Sequence, residues 1–93
     1  MTVASIERFA ADERLVYAVA GQTRHGTDYT LQELEGRFDG AFVRANRSEL
    51  VNILQITGIT GNGDGSATLT LSSGAVVHVS RRRAAAVRSA LQR

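Results

Sequence analysis

Short alternating apolar segments, a two-residue hairpin signal and only two stretches of helical periodicity predict an all-β, mostly antiparallel fold with two short helices. Arg14 to Ala20 is a β-rich run that Gly21 ends, and His25 to Tyr29 can return as its partner. The first helix follows. Thr30 and Glu33 have the spacing of a capping box, Leu31, Leu34 and Phe38 fall on one face, and Gly40 stops the segment. Asn52 to Ile59 reads as a further strand. The stretch Gly61-Asn62-Gly63-Asp64-Gly65-Ser66 reads as a flexible hairpin connection. Ala67 to Ser72, a Ser73-Gly74 turn and Ala75 to Ser80 make a hairpin. Ser80 can then cap a C-terminal helix, Arg81 to Gln92, whose narrow apolar stripe is Ala84, Val87 and Leu91.

Composition bounds the function. With 93 residues, 43% hydrophobic and 22% charged, the chain is expected to be one domain, residues 1–93, with an ordinary globular core. No window approaches the roughly 20 apolar residues of a membrane span, so no membrane partner is expected. The start, MTVASIERFAADER, lacks the basic and apolar blocks of a secretory signal. Cysteine is absent, which excludes disulfides and thiolate chemistry and points to a cytoplasmic location.

Charge is distributed unevenly. Net charge is only +2, and every basic residue is Arg. Up to Val43, four Arg stand against seven acids, giving −3; beyond it, seven Arg stand against Glu49 and Asp64, giving +5. Such asymmetry points to a basic face for a polyanion, although codon usage and chance produce the same count.

Two Arg clusters carry that excess. Arg81, Arg82 and Arg83 occupy the first turn of the predicted C-terminal helix, where the backbone dipole favours anions and each cation costs roughly 0.3–1 kcal/mol. A local conflict of this kind often marks a functional site. A phosphate there would meet three guanidinium groups and free backbone N–H donors; the plainer reading is a solvated charged turn. The second cluster, Val43 to Asn52, sets Arg44, Asn46, Arg47 and Ser48 between apolar anchors. Arg can fork onto guanine, Asn onto adenine, and Ser onto phosphate, but Asn and Ser are equally turn and cap residues.

Other constellations are weak. The Gly61–Gly65 stretch is not followed by the Gly-Lys-Ser/Thr of a phosphate loop, and no acid closes a calcium loop. His25 and His78 lack a second ligand at useful spacing, and His78 should point outward from an alternating strand. No nucleophile elbow or acid pair is present. Hence no metal, no cofactor, no small-molecule substrate and no catalytic residue is expected.

Taken in order, Thr30-Leu31-Gln32-Glu33-Leu34-Glu35, Phe42-Val43-Arg44-Ala45-Asn46-Arg47-Ser48-Glu49-Leu50-Val51-Asn52, Ile56, Leu69-Thr70-Leu71, Gly74 and Val79-Ser80-Arg81-Arg82 resemble the LytTR family. These are DNA-binding domains found at the C-terminus of many bacterial response regulators. The resemblance runs from about Val3 to the end, with Val3 to Glu7 similar to the strand before the first DNA-contacting loop. It implies an elongated arrangement of short sheets whose loops enter successive major grooves, and a role in transcriptional regulation. By position, the three loops would be Ala11 to Arg14, Asn46 to Ser48, and Arg81 to Arg83. Arg47 and Arg82 match base-reading positions of the family, and Ser48 and Arg81 would hold phosphates. Glu49 departs from an aromatic and Asn46 from a frequent His. Asp12 and Glu13 place acids in the first loop.

From the resemblance, the chain is expected to lack a receiver domain ahead of the match and the family's first edge strand. A stand-alone member, an excised domain and a protein that borrows a strand all fit. The expected DNA-binding set is therefore Arg14, Arg44, Asn46, Arg47, Ser48, Arg81, Arg82 and Arg83. Double-stranded DNA is the expected partner, with a homodimer or a LytTR-family regulator as a second partner. The competing reading is a protein-interaction module that modulates a full-length regulator without binding DNA.

Overall fold

A computed structural model describes residues 2–92 and shows two antiparallel sheets, each backed by one helix. The strands are β1 (Arg8–Asp12), β2 (Leu15–Ala20), β3 (Thr23–Thr27), β4 (Phe42–Asn46), β5 (Glu49–Asn52), β6 (Ile56–Gly61), β7 (Ala67–Leu71) and β8 (Val76–Val79). The helices are α1 (Leu31–Arg37) and α2 (Arg81–Leu91). One sheet has the order β3-β2-β1-β5-β4 and the other β6-β7-β8. The molecule is elongated, 35 × 24 × 23 Å.

The alternation of strand side chains explains why one hairpin serves both cores. In β4 and β5, Phe42 and Leu50 face a core made with Ile6, Phe9, Ala18, Leu31 and Leu34. Ala45 and Val51 face the other, made with Leu69, Leu71, Val77, Val79, Ala84 and Val87. Leu50, Val51 and Ala45 are fully buried as a result. Phe9, Phe38 and Phe42 close the first core as an aromatic triad, with ring centroids 5.2–5.9 Å apart.

The predicted capping box forms. The Glu33 N–H donates to Thr30 Oγ1 at 3.1 Å, and the Thr30 N–H donates to Glu33 Oε1 at 2.9 Å. These bonds hold the Glu33 carboxyl below its ordinary range, the Thr30 backbone bond contributing most. The C-terminal helix also forms where expected. Ser80 sits at its N-cap position, yet its hydroxyl makes no capping bond.

Several segments differ from the sequence expectation. Val3–Ser5 is a single 3-10 turn, not a strand: the Ser5 and Ile6 N–H groups donate to the Thr2 and Val3 carbonyls at 3.1 Å, and the Ser5 hydroxyl donates to the Thr2 carbonyl at 2.7 Å. The strand that follows, β1, is central: it pairs with β2 on one side and β5 on the other. The return strand β3 starts at Thr23, earlier than expected, because Gly21 (φ 60°) turns the chain at once and Ala20 pairs with Thr23.

Asn52 to Ile59 is not one strand. The Asn52 side-chain carbonyl accepts the Leu54 N–H at 3.0 Å and starts a 3-10 turn, Ile53–Gln55, at which the chain leaves one sheet for the other. The Gly61–Ser66 stretch is a hairpin connection but a heavily cross-linked one. Asp64 Oδ1 accepts from both Ser66 Oγ (2.6 Å) and Ser66 N (2.9 Å), while Asn62 bonds Ser66 and Thr68. The Ser66 hydroxyl, then its N–H, holds the Asp64 carboxyl below its usual range.

Candidate nucleic-acid interface

The β4–β5 hairpin contains the local irregularity that builds the site. Arg44 pairs with Leu50 and Asn46 with Glu49, so Ala45 is an extra residue in β4. A bulge of this kind bends the strand and re-aims its groups. The Ala45 carbonyl, released from the ladder, accepts the Ser80 N–H at 3.1 Å. The Asn46 side chain, turned the same way, donates to the His78 carbonyl at 2.6 Å. Two bonds thereby tie the Arg47 loop of one sheet to the Ser80–Arg82 corner of the other.

The neighbouring β1–β2 turn joins the same end. The Ala11 N–H donates to the Ser48 carbonyl at 2.8 Å. Asp12 pairs with Leu15, leaving Glu13 and Arg14 as the turn, with Glu13 in the left-handed region at φ 58°. A non-glycine residue there stores about 1–3 kcal/mol of strain, which is commonest at functional loops.

Arg47 is the middle of the three. With Arg14, Tyr29 and Gln32 it lines a cleft of about 480 Å³. With Asn46, His78, Ser80, Arg82 and Arg83 it lines a second cavity of about 350 Å³. Arg14, Arg47 and Arg82 are exposed, and among the described residues their side chains make no ion pair or hydrogen bond. Ser48 is half-buried beside Arg47.

Of the remaining expected site residues, Arg44, Asn46 and Arg83 are engaged inside the protein, whereas Arg81 is exposed and, among the described residues, makes no ion pair or hydrogen bond. Arg44 donates from Nε to the Asn46 carbonyl and from Nη2 to the Arg47 carbonyl, both at 2.8 Å, and from Nη1 to Glu35 at 2.9 Å. Asn46 uses its whole amide: Oδ1 accepts the Ser48 N–H at 2.8 Å, and Nδ2 donates to Glu49 at 3.1 Å as well as to His78. Both residues prop the loop from beneath. Arg81 lies along the Gly65 loop, where a Cβ on Gly65 would stand 3.2 Å from Arg81 Cδ, and its charge adds to the lowering at Asp64. Arg83 is drawn to Glu35, 3.8 Å away. The three first-turn arginines of α2 therefore diverge, which relieves the like-charge crowding that the sequence implies.

Outside the expected set, Arg8, Arg24 and Arg37 are engaged too, whereas Arg88 is exposed and, among the described residues, makes no ion pair or hydrogen bond. Arg24 lies over Tyr17 and pairs with Asp12 at 3.3 Å; Arg37 lies over Tyr29 and bonds its hydroxyl. Arg8 bridges buried Glu7 and Glu49, its Nε 3.2 Å from Glu49 Oε2 without hydrogen-bond alignment. Sequence reading missed the roles of Glu35, Glu49 and His78. Glu49 carried a signal, since an acid replaces the aromatic residue usual in the family it resembles; the other two carried none. Among the described residues, no cluster of three His, Asp or Glu side chains could hold a metal, and no helix is long and apolar enough to cross a membrane.

A family model described as the LytTr DNA-binding domain matches residues 1–92. The solved LytTr DNA-binding domain of a protein described as a putative methyl-accepting/DNA response regulator from Bacillus cereus superposes with a TM-score of 0.91. It is 26% identical over 98% of this chain and 84% of that one. No curated protein matches the sequence. The chain belongs to the LytTR family of DNA-binding domains.

Proposed function

We propose that the chain binds double-stranded DNA sequence-specifically in bacterial transcriptional regulation, by placing the Glu13-Arg14 turn, the Arg47-Ser48 loop and the Arg82 corner in the major groove. Family membership supports DNA binding in transcription regulation in general. The observation that carries the finer reading is that Arg14, Arg47 and Arg82, each exposed and unengaged, are joined through two clefts that share Arg47. A guanidinium held by Asp or Glu has its donors occupied; these three keep theirs for phosphate or guanine edges. Arg81 supplies further phosphate charge from the rim. Arg44 and Asn46 hold the loop in shape and reach no base.

A single module of this size gives limited affinity, so two copies on adjacent half-sites complete the reading. The test is selection of bound duplexes from a random pool, followed by Arg82→Ala on the selected site. The variant should weaken binding by about 1–3 kcal/mol and relax preference at one base pair. Unchanged binding would remove Arg82 from the interface.

A second reading rests on β3, an edge strand exposed along nearly its whole length. Such an edge can accept a strand from a partner regulator or a second copy. A chain that retains no random duplex at low salt, yet elutes as a dimer, would favour it.

A further inference from the structure

We propose that Glu35 limits the number of phosphates the domain engages, by drawing the Arg83 guanidinium away from the mouth of the cavity that Arg83 lines with Arg47 and Arg82. This inference rests on the DNA-binding reading above.

Arg83 stands on a ridge between two cavities of opposite character. On one side, a cavity of about 280 Å³ is lined by the acids Glu35 and Asp39 together with Arg44. On the other, the cavity of about 350 Å³ contains Arg47, Arg82 and His78 and no acid. Arg83 is the residue common to both. Its guanidinium has two places to go, and in the free protein it leans toward the acids.

The Glu35 carboxylate serves two arginines unequally. Oε1 accepts from Arg44 Nη1 at 2.9 Å, and Oε2 lies 3.8 Å from Arg83 Nη1. Arg44 has two backbone carbonyls as additional acceptors and is 15% exposed, so it stays. Arg83 has Glu35 alone as an ion-pair partner among the described residues and is 36% exposed. A pair this long and this wet is weak. It biases the arm without locking it.

Backbone geometry leaves the other position open. Arg83 is the third residue of α2, one turn from the Ser80 corner, and it already lines the Arg47–Arg82 cavity. A duplex phosphate at the mouth of that cavity competes with Glu35 for the same guanidinium. Each phosphate neutralised by an additional cation releases condensed counterions and steepens the salt dependence of binding. Glu35 therefore sets both affinity and salt response from a helix that touches no DNA.

The test is fluorescence anisotropy of the full chain on a random duplex across a salt series, for wild type, Glu35→Gln, Arg83→Ala and the double variant. Glu35→Gln should steepen the log–log slope by about 0.9, the increment for one phosphate. It should also raise affinity roughly two- to fivefold at low salt, the scale of releasing one exposed ion pair. Arg83→Ala should stay within about twofold of wild type, and the double variant should show none of the increase. Glu35→Asp, too short to keep Arg83 while leaving the helix acidic, should act like Glu35→Gln should the latter lose thermal stability. A wild-type slope in Glu35→Gln, or an increase that survives in the double variant, overturns the inference alone. A wild-type chain that binds no duplex overturns the DNA reading and this inference together.

Discussion

Replacing Asn46 with Ala separates a loop prop from a base reader. The substitution removes the acceptor of the Ser48 N–H and the donor to both Glu49 and the His78 carbonyl. A net contribution of about 1 kcal/mol per hydrogen bond, discounted for partial exposure, gives a destabilisation of about 2–3 kcal/mol. In a domain of this size, each kcal/mol moves the melting temperature by roughly 4–8 °C, so a drop of about 8–24 °C is expected. Thermal and denaturant melts read the stability. Binding to a selected duplex and its single-base variants reads the interface. Because these bonds join the Arg47 loop to the Ser80–Arg82 corner, affinity should fall to a similar extent on every duplex. A melting temperature within about 3 °C of wild type, with preference abolished at one A·T pair, would show that Asn46 reads adenine and would refute this reasoning.

Three further outcomes follow from local geometry. Gly65→Ala should destabilise the chain by about 1–3 kcal/mol in urea, since φ is +95° and the new Cβ would stand 3.2 Å from Arg81 Cδ. Glu13→Gly should stabilise it by about 0.5–1 kcal/mol, because relief at φ 58° exceeds the entropy that glycine adds to the unfolded chain. The Glu33 carboxyl is lowered by its bonds to Thr30, so its contribution is complete above the unfolded carboxyl value and disappears as pH falls through the folded one. Acid unfolding of Thr30→Ala, compared with wild type, should lack that component.

The hydrophobic pattern made β2, β7, β8 and both helices legible, because each buries one regular face. It could not show β1, which consists of two alanines and a phenylalanine between charged ends and owes its existence to partners on both sides. Nor could it show that β4 and β5 are buried on both faces, which erases alternation. The Arg clusters were visible as charge. Their sorting was not: whether an arginine faces outward depends on which acid the fold brings beside it, and Glu35 reaches Arg44 and Arg83 only after α1 and α2 pack on β4. The bulge at Ala45, which joins the two sheets, leaves no mark in the sequence.

Two charge-matched triple variants, followed across a salt series, place the DNA face. One replaces Arg14, Arg47 and Arg82 with Ala; the other replaces Arg24, Arg37 and Arg88, of which the first two stack on Tyr17 and Tyr29 and the third lies beside Gly61. The first should flatten the salt slope by roughly 0.9 for each phosphate left without its arginine and bring binding near background. The second should keep a slope close to wild type. Equal weakening by both would mean that net charge alone drives binding, and that no particular surface of the domain meets the duplex.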